Sequence, residues 1–456
     1  GPGGYAAAFR TADLGKKVVL IEKEPELGGV CLNRGCIPSK ALLHLAKVLE
    51  ESSEVKNAGI VFGEPEIDVQ KVARWKDKVV GRLNRGVSSM AKMRKVEVVQ
   101  GTAVFKSASE LEVKGNAGSV SVIFENCIIA AGSSPSWLPF IDQNDPDIMD
   151  STAALEFRDV PGKLLVIGGG YIGLELGSVY SAFGSAVSVV EFMPALLPGA
   201  DIDLVKPLHD RLKRKLTKIY LSTKVTEVKR VAKGLRVTFE TGDNSFVEIY
   251  DKILVSVGRK PNTANLGLEY TGITVDERGF IPVNEQRETA VKGIYAIGDV
   301  TGDPMLAHKA TAEGKVAAES ICGEKAAFDP IAIPAVIFTD PEIAWAGLTE
   351  AECVKREIPY KKAEFPWSAS GRSLALGRND GKTKVLGDPE TGRILGVAMV
   401  GPGAGELIAE GVLGMEMAAD MEDLGLTIHP HPTLSETLAN AAEVFTGSVT
   451  DILQQK

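Results

Sequence analysis

The stretch GGVCLNRGCIPSKALL, residues 28 to 43, places Cys31 and Cys36 five positions apart in a chain with only three other cysteines. Two thiols this close in sequence raise the chemistry of a dithiol and its disulfide. The residues after Cys36, IPSKALLHLAKVLE, read as a helix, with Leu42, Leu45, Ala46 and Leu49 at helical spacing. An unbroken helix would put roughly 7.5 Å of rise between the two cysteines, beyond the roughly 7 Å Cα limit for a disulfide. A bridge therefore needs irregular backbone. Gly28, Gly29 and Gly35 can supply it, and Pro38 sits where a first helical turn tolerates it. A bridge at such a place would be accessible and easily reduced; two ordinary buried thiols are the other reading of the spacing alone. Cys127, Cys322 and Cys353 are scattered and offer no second ligand pair for zinc, so no metal is expected.

The elements around this pair must be those of a large globular protein. The 456 residues allow roughly three domains. A hydrophobic share of 44 % with 24 % charged residues is ordinary for such a chain. A net charge of -9 with no long basic block speaks against nucleic acid and anionic membrane as partners. Five cysteines, an odd number, do not make a secreted disulfide framework and point to a reducing compartment. No targeting segment is visible, but the chain begins abruptly at Gly1, so one could precede it. Residues 164 to 190 hold a single charged residue, Glu175, and would be long and apolar enough to span a membrane. Six glycines divide that run into strand, turn, helix and strand instead.

Within it, VIGGGYIGLELGSVY carries Gly168, Gly170 and Gly173 as G-x-G-x-x-G after an apolar run. Such glycines permit a tight turn, close approach of a pyrophosphate and close helix–strand packing, and the helix N-terminus favours negative charge. The next strand, AVSVVE, ends in Glu191, 18 residues after Gly173, where an acid can bind a ribose 2′-hydroxyl. No Arg or Lys follows in FMPALLPG to receive a 2′-phosphate, so NAD is expected over NADP. The N-terminus repeats the pattern: Gly1 and Gly4 match the second and third glycines, and KVVLIE ends in Glu22, again 18 residues on. The first strand and first glycine of this copy are absent, and the natural chain is expected to begin further upstream. CIIAAGSSP and ILVSVGRKP each end an apolar strand in a glycine, Gly132 and Gly258. GIYAIGDV brings Asp299, whose carboxylate suits a polyol or ribose, although helix capping is its plainer role.

Together with the C-terminal HPHPTLSETL, these motifs occur in the order of one family over essentially the whole chain. The sequence resembles the flavin-dependent pyridine nucleotide–disulfide oxidoreductases, and among them most closely those that oxidise dihydrolipoamide. The resemblance implies an α/β fold with two Rossmann-like dinucleotide-binding domains and a C-terminal α+β dimerisation domain. It divides the chain into an FAD domain at 1–147, lacking its first strand, an NAD domain at 148–265, a central region at 266–333 completing the FAD site, and the dimerisation domain at 334–456.

The same resemblance assigns roles. Gly1, Gly4 and Glu22 would bind the adenosine end of FAD, and Asp299 and the backbone at Ala307 its ribityl chain and pyrimidine edge. Lys40 would meet the flavin, and Ala103 and Gly132 complete the FAD set. NAD would be held by Gly168, Gly170, Gly173, Glu191, Val225 and Gly258, with Glu175 near the nicotinamide. Cys31 and Cys36 would form the redox disulfide, Cys31 exchanging with the substrate dithiol and Cys36 lying next to the flavin. His431 would be the base that forms the substrate thiolate, since imidazole exchanges its proton near neutrality, with Glu436 fixing its tautomer. The implied reaction oxidises protein-bound dihydrolipoamide to lipoamide and reduces NAD to NADH. The implied assembly is a homodimer with active sites shared between subunits. It would serve lipoyl domains of a 2-oxoacid dehydrogenase or glycine cleavage complex, in a bacterial cytoplasm or, if a targeting segment precedes the chain, a mitochondrial matrix.

Rival readings are a reductase of another disulfide, such as glutathione disulfide, using NADPH, or a non-catalytic subunit that retains the fold. Glu191 without basic neighbours argues against the first, and the joint presence of Cys31, Cys36, Lys40, His431 and Glu436 against the second. Arg34, inside the cysteine loop, departs from the apolar residue expected there.

Overall fold

The computed structural model describes residues 1–116 and 118–453. Its central feature is a five-stranded sheet in the order Lys218–Tyr220, Ala186–Val190, Lys163–Ile167, Lys252–Val255 and Ile148–Met149, parallel throughout. Parallel sheets are covered on both faces, and strand Lys163–Ile167 shows how. Leu164 and Val166 point to one side, into a core with Leu174, Val179 and Tyr180 of helix Tyr171–Ala182. Leu165 and Ile167 point to the other, against Phe239 and Tyr250 of an antiparallel sheet formed by Lys224–Val231, Gly234–Thr241 and Asn244–Tyr250. Each of these side chains is almost fully buried, worth roughly 1.5–3 kcal/mol apiece. The run 164 to 190 is thus strand, glycine turn, helix and strand, as its glycines predict. No helix among the described residues is long and apolar enough to cross a membrane.

The N-terminal region is built around helix Pro2–Asp13, with proline in its first turn, and helix Ala307–Ile321 packed against it. The two approach until backbone meets backbone. A Cβ on Gly3 would lie 2.9 Å from the Ala310 carbonyl oxygen, and one on Gly314 would lie 2.6 Å from that of Gly3. Beside them run two parallel pairs, Val19–Glu22 with Glu97–Gln100 and Cys127–Ile129 with Ile294–Ala296. An antiparallel sheet of Thr102–Ser107, Glu110–Gly115 and Gly118–Ile123 shares a core with Ile281 and Ile294.

The C-terminal region is a five-stranded antiparallel sheet in the order Ala335–Ile337, Glu342–Gly347, Ile394–Gly401, Lys382–Gly387 and Lys361–Pro366. Helices Ala404–Glu416 and Glu436–Thr446 cover one face through Ile408, Met415, Leu438, Ala442 and Phe445.

A buried ion cluster joins this sheet to the parallel one. Lys384, 1 % exposed, bonds Asp201 at 2.7 Å, Asp203 at 2.9 Å and Glu350 at 2.9 Å. The three carboxylates are grouped closely enough to suggest a cation site, but the lysine ammonium already occupies their focus. Removing one member of a buried ionic group leaves its partners uncompensated, at a cost of about 3–5 kcal/mol. Lys384→Met should therefore lower stability by about that amount in urea unfolding; a loss below about 1 kcal/mol, the value of an exposed pair, would show the cluster to be energetically idle.

Candidate active site

Cys31 lies in the short helix Gly29–Arg34 and Cys36 opens the helix Cys36–Glu54. Between them Gly35, at φ -145° and ψ -111°, ends one helix and begins the other, so the five-residue spacing is not that of a continuous helix. Gly28 and Gly29 take positive φ at the start of the first helix. The requirement read from the sequence, irregular backbone between the sulfurs, is met at the glycine expected to meet it. Leu42 and Ala46 of the second helix anchor it in the main core, with Leu45 and Leu49 half-buried beside them.

Both cysteines are free thiols, Cys31 half-buried and Cys36 exposed. The two thiols are coupled, so the first thiolate to form leaves the other thiol hard to ionise. The Cys36 thiol is lowered by its interaction with Cys31 and by the Lys40 ammonium, against burial, and the Cys31 thiol is raised by the same interaction and by burial. The Lys40 ammonium favours a thiolate on either sulfur.

Lys40, one helical turn beyond Cys36, donates to Glu175 at 2.8 Å and lies 4.3 Å from the centroid of the Phe338 ring. Glu175, 3 % exposed, comes from helix Tyr171–Ala182. Its Oε2 also accepts from the Ser39 hydroxyl at 2.9 Å, and its Oε1 from the Phe338 backbone N–H at 3.0 Å. The cysteine helix, the helix of the glycine turn and the C-terminal sheet region meet on one carboxylate. Arg34 pairs with Glu24 at 2.9 Å, so its charge is largely balanced within the same loop region.

Two cradles flank this centre. In the first, Gly168 has φ +107°, and Cβ atoms on Gly168 and Gly173 would lie 2.4 Å from the Ser256 carbonyl oxygen and 2.3 Å from the Gly168 carbonyl oxygen. Gly170 is the N-cap of the following helix with no side chain capping it, leaving its first amides available. Glu191 is buried and accepts from Gly169 N–H at 2.6 Å and Met193 N–H at 2.8 Å. Each carboxylate oxygen keeps a second lone pair for a ribose hydroxyl. Gly258, at φ +122°, lies in the short connection after the adjacent strand Lys252–Val255. Val225 is 7 % exposed, with its side chain in the core beside Phe239, so only its backbone, next to a register shift, can face a ligand. These residues fit a dinucleotide.

In the second cradle, Gly1 is the N-cap of helix Pro2–Asp13, and a Cβ on Gly4 would press on Ala130 at 3.3 Å. A cavity of about 320 Å³ opens beside Glu22, walled by Leu27, Ala91, Val96 and Val98, room for an adenosine. Asp299 stands in the turn Gly298–Thr301 and accepts from the Ser133 hydroxyl, which itself accepts from Arg259 Nε at 2.7 Å. Its carboxylate caps no helix. Gly132 has φ +70°, and Ala307 opens its helix uncapped. Ala103 is half-buried in the antiparallel ladder opposite Val113. These residues fit a flavin dinucleotide. Ser39, Ser133, Ser256, Arg259 and the Phe338 amide were not singled out from sequence; each acts on a partner more than 80 positions away.

His431 and Glu436 form a separate unit. Imidazole Nδ1 is 2.8 Å from Glu436 Oε1, and Thr433 N–H donates to Oε2 at 2.6 Å. Burial pushes the Glu436 carboxyl up, but these two hydrogen bonds hold it below its ordinary range. The His431 side chain is 79 % exposed, and its hydrogen bonding is confined to this unit. His429, by contrast, is buried, held by Glu410 and the Thr427 carbonyl.

The family description "Pyridine nucleotide-disulphide oxidoreductase" matches residues 1–314, and that of the same family's dimerisation domain matches 333–442. The chain belongs to the pyridine nucleotide-disulphide oxidoreductases. The oxidoreductase is 52 % identical to the dihydrolipoyl dehydrogenase of Vibrio cholerae over 100 % of this chain and 96 % of that one. It is 47 % identical to the dihydrolipoyl dehydrogenase of Thermus scotoductus over 100 % and 98 %. Among solved structures it superposes on the HOCl-induced flavoprotein disulfide reductase RclA of Escherichia coli with a TM-score of 0.86 at 27 % identity, covering 97 % of this chain and 98 % of that one. LpdA of Mycobacterium tuberculosis shares the fold, with a TM-score of 0.89 at 24 % identity over 98 % of both chains.

In the reduced oxidoreductase freed of cofactor, iodoacetamide should react with the cysteine pair at a pH below that of an ordinary thiol, as its first thiolate forms beside Lys40. Lys40→Met removes a charge that favours that thiolate and leaves Glu175 unpaired, so the midpoint should move upward. A midpoint near the ordinary thiol value, unmoved by Lys40→Met, would contradict the role given to Lys40.

Proposed function

We propose that the chain oxidises a protein-bound dihydrolipoyl dithiol to its disulfide and reduces NAD to NADH, with FAD between them. The observation that carries this reading is the dithiol pair Cys31 and Cys36, set on either side of the helix break at Gly35 and one turn from the Lys40–Glu175 ion pair. Relatives named dihydrolipoyl dehydrogenase over full length supply the substrate.

The reaction divides among this chain's own groups. In the oxidised state Cys31 and Cys36 share a disulfide. His431 takes the proton of a substrate thiol at Nε2 while Glu436 holds Nδ1 and balances the imidazolium. The substrate thiolate attacks Cys31 sulfur, the Cys31–Cys36 bond breaks, and Cys36 leaves as the thiolate this site stabilises. The second substrate thiol, once deprotonated, attacks the substrate sulfur bound to Cys31. The substrate disulfide closes, and Cys31 departs as a thiol after protonation. Bound FAD supplies two-electron transfer from the dithiol to NAD. Lys40 and Glu175 fix charge at that junction. Glu22, Gly1, Gly4, Ala103, Gly132, Asp299 and Ala307 hold FAD; Gly168, Gly170, Gly173, Glu191, Val225 and Gly258 hold NAD.

The domain division of this reading is 1–147 for FAD, 148–265 for NAD, 266–333 completing the FAD site and 334–456 for dimerisation. The protein acts as a homodimer on lipoyl domains of a 2-oxoacid dehydrogenase or glycine cleavage complex, in a bacterial cytoplasm. The matched dimerisation description supports the dimer, as do Leu413, Met417, Leu426 and Ile428, all more than 60 % exposed on the C-terminal region. The exposed His431 supports an active site completed by a second copy.

Two tests address this reading. NADH should strongly outperform NADPH in kcat/KM, because a 2′-phosphate beside Glu191 meets like charge; equal use would refute the NAD assignment. Cys31→Ser and His431→Gln chains, each inactive alone, should regain roughly half of wild-type lipoamide turnover as purified mixed dimers, since one of two symmetric sites is then intact. No recovery with normal FAD content would mean that each chain carries its own complete site.

A further inference from the structure

A second buried carboxylate lies behind Asp299. Glu313, on helix Ala307–Ile321, is 0 % exposed, and no step of the proposed chemistry uses it. Its Oε2 accepts from Gly298 N–H at 2.6 Å, and its Oε1 from Arg287 at 3.1 Å and Lys309 at 3.0 Å. Thr301 donates to the Gly298 carbonyl at 2.8 Å and also faces the carboxylate. Lys309 reaches Thr301 Oγ1 at 3.2 Å and the Gly302 carbonyl at 3.3 Å. Every polar backbone atom of Gly298 is thus held by this cluster. Gly298 itself is at φ +75°, and a Cβ there would press on Ala310 at 3.1 Å, so the turn has little room to move.

We infer that Glu313 is a positioning residue that fixes the turn Gly298–Thr301 and so aims Asp299 at the ribityl chain of FAD. The inference rests on the FAD reading of Asp299 proposed above. The carboxylate reaches Asp299 through a single link, the Gly298 N–H that it fastens. Arg287 and Lys309 together outnumber the carboxylate by one charge. Neutralising Glu313 therefore leaves the Arg287 and Lys309 cations without their carboxylate and replaces the charged acceptor of the Gly298 amide by a neutral one at best.

The test is the FAD dissociation constant of the apoprotein, measured by titration, for Glu313→Gln, Asp299→Asn and the double variant. Glu313→Gln should weaken FAD about ten-fold or more, the range for loss of a hydrogen bond to a charged group, while NAD affinity stays unchanged. The double variant should bind FAD no more weakly than Asp299→Asn alone, because the two residues act through one contact. Additive losses, an unchanged FAD constant in Glu313→Gln, or an equal loss of NAD affinity would overturn the inference while leaving the FAD reading intact. An Asp299→Asn chain that binds FAD as tightly as wild type would overturn both. Should Glu313→Gln fail to fold, Thr301→Val removes only the hydroxyl shared by Gly298 and Glu313. It should show a smaller FAD loss with the same non-additivity toward Asp299→Asn, and additivity there would equally overturn the inference.

Discussion

The molecule is organised by the desolvation of Glu175. A carboxylate brought out of water is tolerated only when charge and hydrogen bonds replace its hydration. Here the replacements come from Ser39 and Lys40 on the cysteine helix and the Phe338 amide of the C-terminal region, while Glu175 itself belongs to the helix of the glycine turn. Three parts of the chain, distant in sequence but packed into one shared core, are thereby brought into register at one point. In the proposed reaction that point lies between the thiol pair and the two dinucleotide cradles. Loosening any of the three would disturb the charge at Lys40, which in turn helps to keep Cys36 ionised.

Much of this was legible in the sequence, because the chemistry depends on local spacing. Glycine turns, the acid 18 residues beyond each, the cysteine pair and HPTLSE are short-range patterns, and each sits where its spacing puts it. The break at Gly35 was likewise foreseeable, since five residues of continuous helix could not bring two sulfurs together. What stayed hidden was the polar support. Ser39 is 136 positions from Glu175, Ser133 is 166 from Asp299, and Lys384 is 183 from Asp201. A serine or lysine at such a place looks like any other on a helix or strand until the fold supplies its partner. Val225 shows the converse: a family position can be named, yet only the fold shows that its side chain belongs to the core.

The proposed chemistry also separates acid–base work from electron transfer. Cys36 and Lys40 lie where the cysteine helix meets the helix of the glycine turn, whereas His431 stands on a separate turn stabilised by its own Glu436, where a second copy would bring the substrate. A thiolate poised for electron transfer benefits from fixed charges and low mobility.

The break at Gly35 has a thermodynamic consequence. It makes Cys36 the first residue of a 19-residue helix whose N-terminus has no side-chain cap. When the reduced pair carries its thiolate on Cys36, a negative charge sits at that positive pole; in the disulfide it does not. Such a charge stabilises a helix terminus by about 0.3–1 kcal/mol, so the helix is firmer in the reduced protein than in the oxidised one. That gain exists only while the helix is formed, so the apolar packing of Leu42 and Ala46 that anchors it is a condition of the gain. The redox poise of the two sulfurs is in that sense partly a folding property, shared with residues that never meet an electron.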